Sequence, residues 1–347
     1  MERQDLSREE AYTVMEFLMT GQAIDAEVAA FLTAMRMKGE TIEELCGFAQ
    51  VMRERVTAVP TRYSDSQAVS RSGDRVLVDT CGTGGDAKGT FNISTAAAFV
   101  VAGAGIPVAK HGNRSVSGLC GSADVIEALG VPLDLSPEQV GRCIDKVGIG
   151  FLFAPLLHPA MKHVMSARRQ IRIRTLFNIL GPLTNPAGAS AQVIGVSEGD
   201  LTEVLAGVLN QLGCHRAYVV HGKEGLDEMS TVGETKISEL RAKKVRTYFV
   251  QPEDFGISRT RLSDLRGGDA PTNAALIREV LQGAKGPKRD IVLLNAGAAI
   301  AAGEGAQDIR DGVGAAERSI ETGAAWKKLE MVIAFCEQQG RSVTKSE

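Results

Sequence analysis

Apolar residues recur at helical intervals through the first sixty positions of the chain. Ala11, Val14, Met15 and Leu18 form one stripe, residues 24–37 carry a second, and Leu45, Phe48, Ala49 and Met52 form a third. Ser7-Arg-Glu-Glu10 and Thr41-Ile-Glu-Glu44 stand just before the first and third stripes. A hydroxyl followed three residues later by glutamate predicts a capped helix start. Helices this short are marginal alone and must bury their stripes against something. Residues 8–58 therefore read as a small helical domain, followed by a polar linker over residues 60–73.

From Val76 the pattern changes to short apolar runs alternating with helical segments. The strand-like runs are Val76-Leu-Val, Ile106-Pro-Val-Ala, Gly150-Phe-Leu-Phe, Gln192-Val-Ile-Gly-Val, Ala217-Tyr-Val-Val and Val245-Arg-Thr-Tyr-Phe-Val. Helices are expected over 96–104, 123–129, 137–147, 159–165, 201–212 and 273–281. This alternation predicts an α/β domain with a mainly parallel sheet. Residues 172–186 are apolar without being strand-like and contain the rigid turn Gly181-Pro-Leu-Thr-Asn-Pro186, so they are expected to rejoin the helical domain. The tail from about 298 to 339 reads as helices, with Trp326, Leu329 and Ile333 in the core. The expected fold is a small all-helical domain packed against a larger α/β domain. The first takes residues 1–70 with part of about 170–190, and the second takes 71–347.

Composition narrows the classes. The chain has 347 residues, 44% of them hydrophobic, enough for a large core and two domains. A formal charge of -3 argues against a non-specific nucleic-acid binder. The six cysteines show no CxxC pair, which suggests free thiols in a reducing compartment and no zinc site. No apolar run reaches the roughly 18 residues of a membrane span. No membrane partner is expected, and the polar N-terminus points to a cytoplasmic location.

Candidate chemistry concentrates where the first strand-like run meets the first α/β helix. Asp79-Thr-Cys-Gly-Thr-Gly-Gly-Asp86 leads into Asn92-Ile-Ser-Thr95 and an alanine-rich run. Glycines permit a tight turn, and a helix start offers free N–H groups to a phosphate. The spacing is not that of a P-loop. Ser94 has the chemistry to ligate a hard cation bridging phosphates. Lys110-His-Gly-Asn-Arg-Ser-Val-Ser117 follows the second run and reads either as a solvated loop or as a polyanion clamp. Asp227-Glu228 reads as a surface acidic pair or as a Mg²⁺ site. Among Arg168, Arg169, Arg172 and Arg174, one is suited to a substrate carboxylate, and composition does not choose which.

Taken together these stretches resemble the anthranilate phosphoribosyltransferase family. The match rests on Gly82-Thr-Gly-Gly-Asp, Thr90-Phe-Asn-Ile-Ser-Thr, Lys110-His-Gly-Asn-Arg, Gly121-Ser-Ala-Asp-Val-Ile-Glu-Ala-Leu-Gly, His158-Pro-Ala-Met-Lys, Arg174-Thr-Leu-Phe-Asn-Ile-Leu-Gly-Pro-Leu-Thr-Asn-Pro, Gly225-Leu-Asp-Glu and Leu294-Asn-Ala-Gly, in the family's order across nearly the whole chain. The resemblance implies transfer of a 5-phosphoribosyl group from phosphoribosyl pyrophosphate (PRPP) to the amine of anthranilate, in tryptophan biosynthesis. It also implies a homodimer through the helical domain.

Carried over by motif, Gly82, Gly85, Asp86, Thr90, Asn92, Ile93, Ser94 and Thr95 would hold PRPP. Lys110, Gly112, Arg114, Ser115, Val116, Ser117, Gly118 and Ser122 would complete that site. Ser94, Asp227 and Glu228 would bind Mg²⁺, while Asn113 and Arg168 would meet anthranilate in a pocket lined by His111. Lys110, Asn113 and Arg168 are the expected catalytic set. Three places depart from the family pattern: Ala87 and Arg172 stand where glycine is usual, and Gly118-Leu-Cys120 replaces Ser-Lys-Ser. None removes a metal carboxylate or the anthranilate arginine. Two rival readings are a pyrimidine nucleoside phosphorylase, against which Asp227-Glu228 and residues 174–186 speak, and a nucleic-acid-binding relative, supported by the arginine cluster.

Overall fold

The computed structural model describes residues 3–63, 76–115 and 118–343. Three helices come first: α1 (Arg8–Met19), α2 (Asp25–Lys38) and α3 (Ile42–Glu54). The capping boxes at α1 and α3 form as expected, with Ser7 N–H donating to Glu10 and Glu10 N–H to Ser7 Oγ, and the same exchange between Thr41 and Glu44. Glu44 is fully buried and also accepts from Lys38 Nζ at 2.9 Å and Leu6 N–H at 2.9 Å, which compensates its charge.

The larger unit alternates strands and helices: β1 (Val78–Gly82), α4 (Ile93–Gly103), β2 (Val108–Gly112), α5 (Ser122–Ala128), α6 (Pro137–Val147), β3 (Ile149–Phe153), α7 (Ala154–Leu157), α8 (Lys162–Ile171), α9 (Leu176–Leu180), β4 (Ala191–Gly195), α10 (Leu201–Gln211) and β5 (Arg216–Gly222). An antiparallel pair follows, β6 (Thr235–Arg241) and β7 (Lys244–Val250), then α11 (Ala270–Leu281), α12 (Pro287–Ala302), α13 (Ile309–Glu321) and α14 (Ala324–Val343). The sheet runs β3-β2-β1-β4-β5-β6-β7, parallel through β5 and antiparallel beyond it.

Side chains alternate across the strands and so serve two cores. Val78, Val108, Val193 and Tyr218 face α4, α11, α12 and α14, while Ile194, Ala217 and Val219 face α10 and the helical unit. Leu176, Phe177 and Leu180 of α9 share that second cluster with Met15, Leu32 and Phe48. The molecule is thus a small helical domain packed against a larger α/β domain. Among the described residues no helix is long and apolar enough to cross a membrane.

Five elements differ from the sequence reading. Strand β6 was not expected, because Thr235-Lys-Ile-Ser-Glu-Leu-Arg is mostly polar; its ladders to β5 and β7 override composition. Strands β1 and β2 each start two residues later than expected and carry Asp79, Lys110 and His111 inside the sheet. Helix α8 extends to Ile171 and so carries Arg168 and Arg169. The tail helices begin earlier, because α12 starts with Pro287 at its first turn and is buried from Ile291 to Ala302. The linker expected over residues 60–73 lies mostly outside the described residues.

Candidate functional site

The chain leaves β1 for β2 and β3 on one side, then returns to lay β4 on the other side of β1. The carboxyl ends of β1 and β4 therefore flank the point where strand order reverses, the usual ligand crevice of an open parallel sheet. Gly82 and Gly195 face each other there across the ladder. Their lack of side chains makes room for Asp227: a methyl at position 82 would lie 2.7 Å from Asp227 Oδ2, and one at 195 would overlap the Asp227 backbone. Asn295, buried on α12, holds this segment from behind. Its amide accepts from Met229 N–H and donates to Met229 O, both at 2.9 Å.

Carboxylates converge on the glycine loop. Asp227 Oδ2 accepts from Gly84 N–H at 3.0 Å, and Glu228 Oε1 accepts from Ser94 N–H at 3.2 Å at the start of α4. Burial and the neighbouring Asp86 push Asp227 up to about 7, and burial with Asp227 raises Glu228 well above its ordinary value. Asp86 Oδ1 accepts from Lys88 N–H, while its buried Oδ2 has no hydrogen-bond partner among the described residues. Crowded, raised carboxylates with an unpartnered oxygen fit a hard cation. Among the described residues no three acidic, His or Cys side chains form a closed metal cage.

Lys110 is buried in the middle of β2. Its ammonium donates to Thr80 O at 2.5 Å and Ser94 Oγ at 3.3 Å. Burial lowers its pKa, and the charges of Asp79 and Glu228 oppose that shift. Asp79 is wholly buried in β1, where it accepts from His111 N–H at 3.1 Å and from Asn185 Nδ2 at 2.8 Å. Asn185 also donates to Ala109 O, so the Gly181–Pro186 turn is tied to both strands. The His111 ring meets His158, Nε2 to Nε2 at 3.1 Å. Burial drives His111 down to about 3 and His158 to about 4. The pair is neutral near pH 7, one ring donating and the other accepting, and neither is poised as a general base. Burial also keeps the Cys81 and Cys120 thiols protonated, which removes them as nucleophiles.

Other expected residues serve the frame of the loop. Ile93 and Thr95 are buried in the first turn of α4, and Thr90 forms a bridge to Arg266. The Asn92 amide does not cap α4; it donates to Cys120 O at 3.3 Å and accepts from Asn273 at 2.9 Å, anchoring the 118–121 loop. Asn113 is exposed, with its oxygen on Arg114 N–H at 2.7 Å. Arg114 pairs with Asp124 and Glu127, and Ser115 closes a turn with Gly118. Ser122 Oγ joins both backbone groups of Asn113, and a methyl on Gly112 would strike it. Val116 and Ser117 lie outside the described residues.

The arginine cluster divides. Arg168 is half-buried with its guanidinium 5.1 Å from the centre of the Phe177 ring and Nη1 3.8 Å from Met165 Sδ. Among the described residues it has no carboxylate at ion-pair distance. Arg169 and Arg172 are exposed. The contact with the glycine loop is made by Arg174, whose Nη2 donates to Thr83 O at 3.2 Å. Sequence reasoning did not single out Arg174, Asp79, Asn185, His158 or Asn295. For His158, Arg174, Asn185 and Asn295 a signal existed, since each stands inside one of the stretches that carried the family resemblance.

The two glycine-replacing departures share one backbone feature. Ala87 has φ 53° and Arg172, which caps α8, has φ 52°. A side chain in this left-handed region is strained, and glycine is the ordinary C-terminal cap. Ala87→Gly and Arg172→Gly are each expected to raise unfolding stability by about 0.5–1 kcal/mol, the relief of strain exceeding glycine's added chain entropy. Denaturant unfolding of each variant measures this; a loss of stability would contradict it.

Comparisons with known proteins identify the family. A model described as "Glycosyl transferase family, helical bundle domain" matches residues 1–56, and "Glycosyl transferase family, a/b domain" matches residues 74–326. The anthranilate phosphoribosyltransferase of Symbiobacterium thermophilum is 54% identical over 334 residues, covering 96% of this chain and 95% of that protein. The crystal structure of the enzyme from Thermus thermophilus superposes with a TM-score of 0.89 at 42% identity, covering 96% of this chain and 97% of that one. The Saccharomyces cerevisiae enzyme in complex with PRPP and Mg gives 0.84 at 28% identity, with coverage of 96% and 94%. The chain belongs to the anthranilate phosphoribosyltransferase family, and it transfers the 5-phosphoribosyl group of PRPP to the amine of anthranilate, giving N-(5-phosphoribosyl)anthranilate and pyrophosphate in tryptophan biosynthesis.

Proposed function

We propose that the glycine loop and the start of α4 hold the diphosphate of PRPP, with Mg²⁺ on Ser94, Asp227 and Glu228 and with Asp86 beside them. The observation that carries this is the convergence of Asp227 on Gly84 N–H and Glu228 on Ser94 N–H, next to the ammonium of Lys110. These N–H groups suit phosphate oxygens, and the carboxylates suit the cation that accompanies them. The yeast relative, solved with PRPP and Mg, supports the same ligands. Bound there, Mg²⁺ would neutralise charge on the departing pyrophosphate.

The chain's own groups supply the rest. Lys110 adds fixed positive charge where the leaving group's charge grows. Arg168 grips the anthranilate carboxylate, Asn113 orients its amine, and the neutral His111–His158 pair lines the pocket. An aryl amine attacks without prior deprotonation, so the absence of a poised base is no obstacle. The helical unit, residues 1–70 with part of about 170–190, forms the homodimer surface; exposed Phe17, Ile24 and Met37 support this. The test is anthranilate fluorescence, whose loss should require both PRPP and Mg²⁺ and should stop on chelation. Full activity in excess chelator would refute the metal site.

A further inference from the structure

Of the four clustered arginines, Arg174 is the one whose side chain reaches the glycine loop, and the mechanism above leaves it without a role. It stands two residues before α9, whose Leu176 and Phe177 are anchored in the helical-side core. From there its half-buried guanidinium crosses to the α/β domain and donates to Thr83 O at 3.2 Å. Its Nη1 also lies against Gly85, so closely that a methyl at position 85 would overlap it. Among the described residues the Thr83 carbonyl is its hydrogen-bond partner and no carboxylate pairs with it, although Asp86 and Asp227 belong to the same neighbourhood.

We propose that Arg174 is a positioning residue that fixes the diphosphate-binding conformation of the loop. Gly84 and Gly85 both have positive φ, 65° and 78°, and such a loop has many alternative conformations. A planar cation pinned on Thr83 O, with its tip pressed against Gly85, removes them, and it adds no negative charge where a polyanion binds. Arg168 lies six residues upstream on the same segment, so one stretch of chain carries both the proposed anthranilate grip and the tie to the PRPP loop. The inference rests on the reading that this loop holds PRPP.

Steady-state kinetics of Arg174→Gln and Arg174→Lys test it. Arg174→Gln should raise KM for PRPP about tenfold, the loss expected of one charge-assisted hydrogen bond. KM for anthranilate should stay within about twofold. Arg174→Lys keeps the cation and one donor but not the flat fork, so its KM for PRPP should rise only about threefold. A wild-type KM for PRPP in Arg174→Lys and Arg174→Gln overturns the proposal, as does a parallel rise of both KM values. If Arg174→Gln does not fold, Arg174→Lys decides alone by the same criterion. Glu228→Ala is the control: wild-type activity there would refute the loop site itself, whereas inactivity alongside an unchanged KM in the Arg174 variants refutes only the role of Arg174.

Discussion

Replacing Asp227 and Glu228 together by alanine is expected to lower turnover by about a thousandfold or more while leaving the chain folded. The two effects have separate causes. Both carboxylates sit where burial and neighbouring carboxylates, Asp86 beside Asp227 and Asp227 beside Glu228, push their pKa values up, so without a cation they are an electrostatic burden. Removing them forfeits the hydrogen bonds from Gly84 and Ser94 but relieves that repulsion, and the two changes largely offset each other in stability. Catalysis has no such compensation. The departing pyrophosphate carries several negative charges, and loss of metal-assisted charge stabilisation costs several kcal/mol in the transition state, about three orders of magnitude in rate. Turnover measured with Mg²⁺ varied, alongside thermal unfolding, checks both halves. Full activity in the double variant would refute the assignment.

Arg168→Ala carries the second large effect, and it should fall on the other substrate. The guanidinium is half-buried against Phe177 and has no carboxylate partner among the described residues, so it is desolvated and charged before any ligand arrives. An aromatic acid entering there makes a charge-assisted pair at little further desolvation cost. Truncation should raise KM for anthranilate about 30- to 100-fold, corresponding to about 2–3 kcal/mol, with KM for PRPP nearly unchanged. Lysine should restore only part of this, since it lacks the planar fork. An unchanged KM for anthranilate would remove Arg168 from the site.

How far the sequence showed these features depended on whether local chemistry or tertiary packing decided them. The capped helices α1 and α3 were legible because Ser7/Glu10 and Thr41/Glu44 act within one turn. The loop at Gly82–Asp86 was legible because glycines and a helix start sit side by side. Strand β6 was not, because only its pairing with β5 and β7 makes Lys236, Ser238 and Glu239 extended. Asp79 and Lys110 looked like loop residues, yet they lie within strands as buried, mutually compensated charges. Local pattern fails where function demands polar groups inside the sheet. Asn295 and Arg174 reach the site across distances of chain that periodicity does not report. The family resemblance named their stretches without their contacts.

The central claim is that the loop after β1 holds a metal-bound PRPP against anthranilate. The most direct measurement is the decay of anthranilate fluorescence with the intact chain as PRPP and Mg²⁺ are omitted in turn. Decay only when both are present, abolished by chelation and restored by added Mg²⁺, is the predicted result; decay that persists without Mg²⁺, or none with both present, would contradict it.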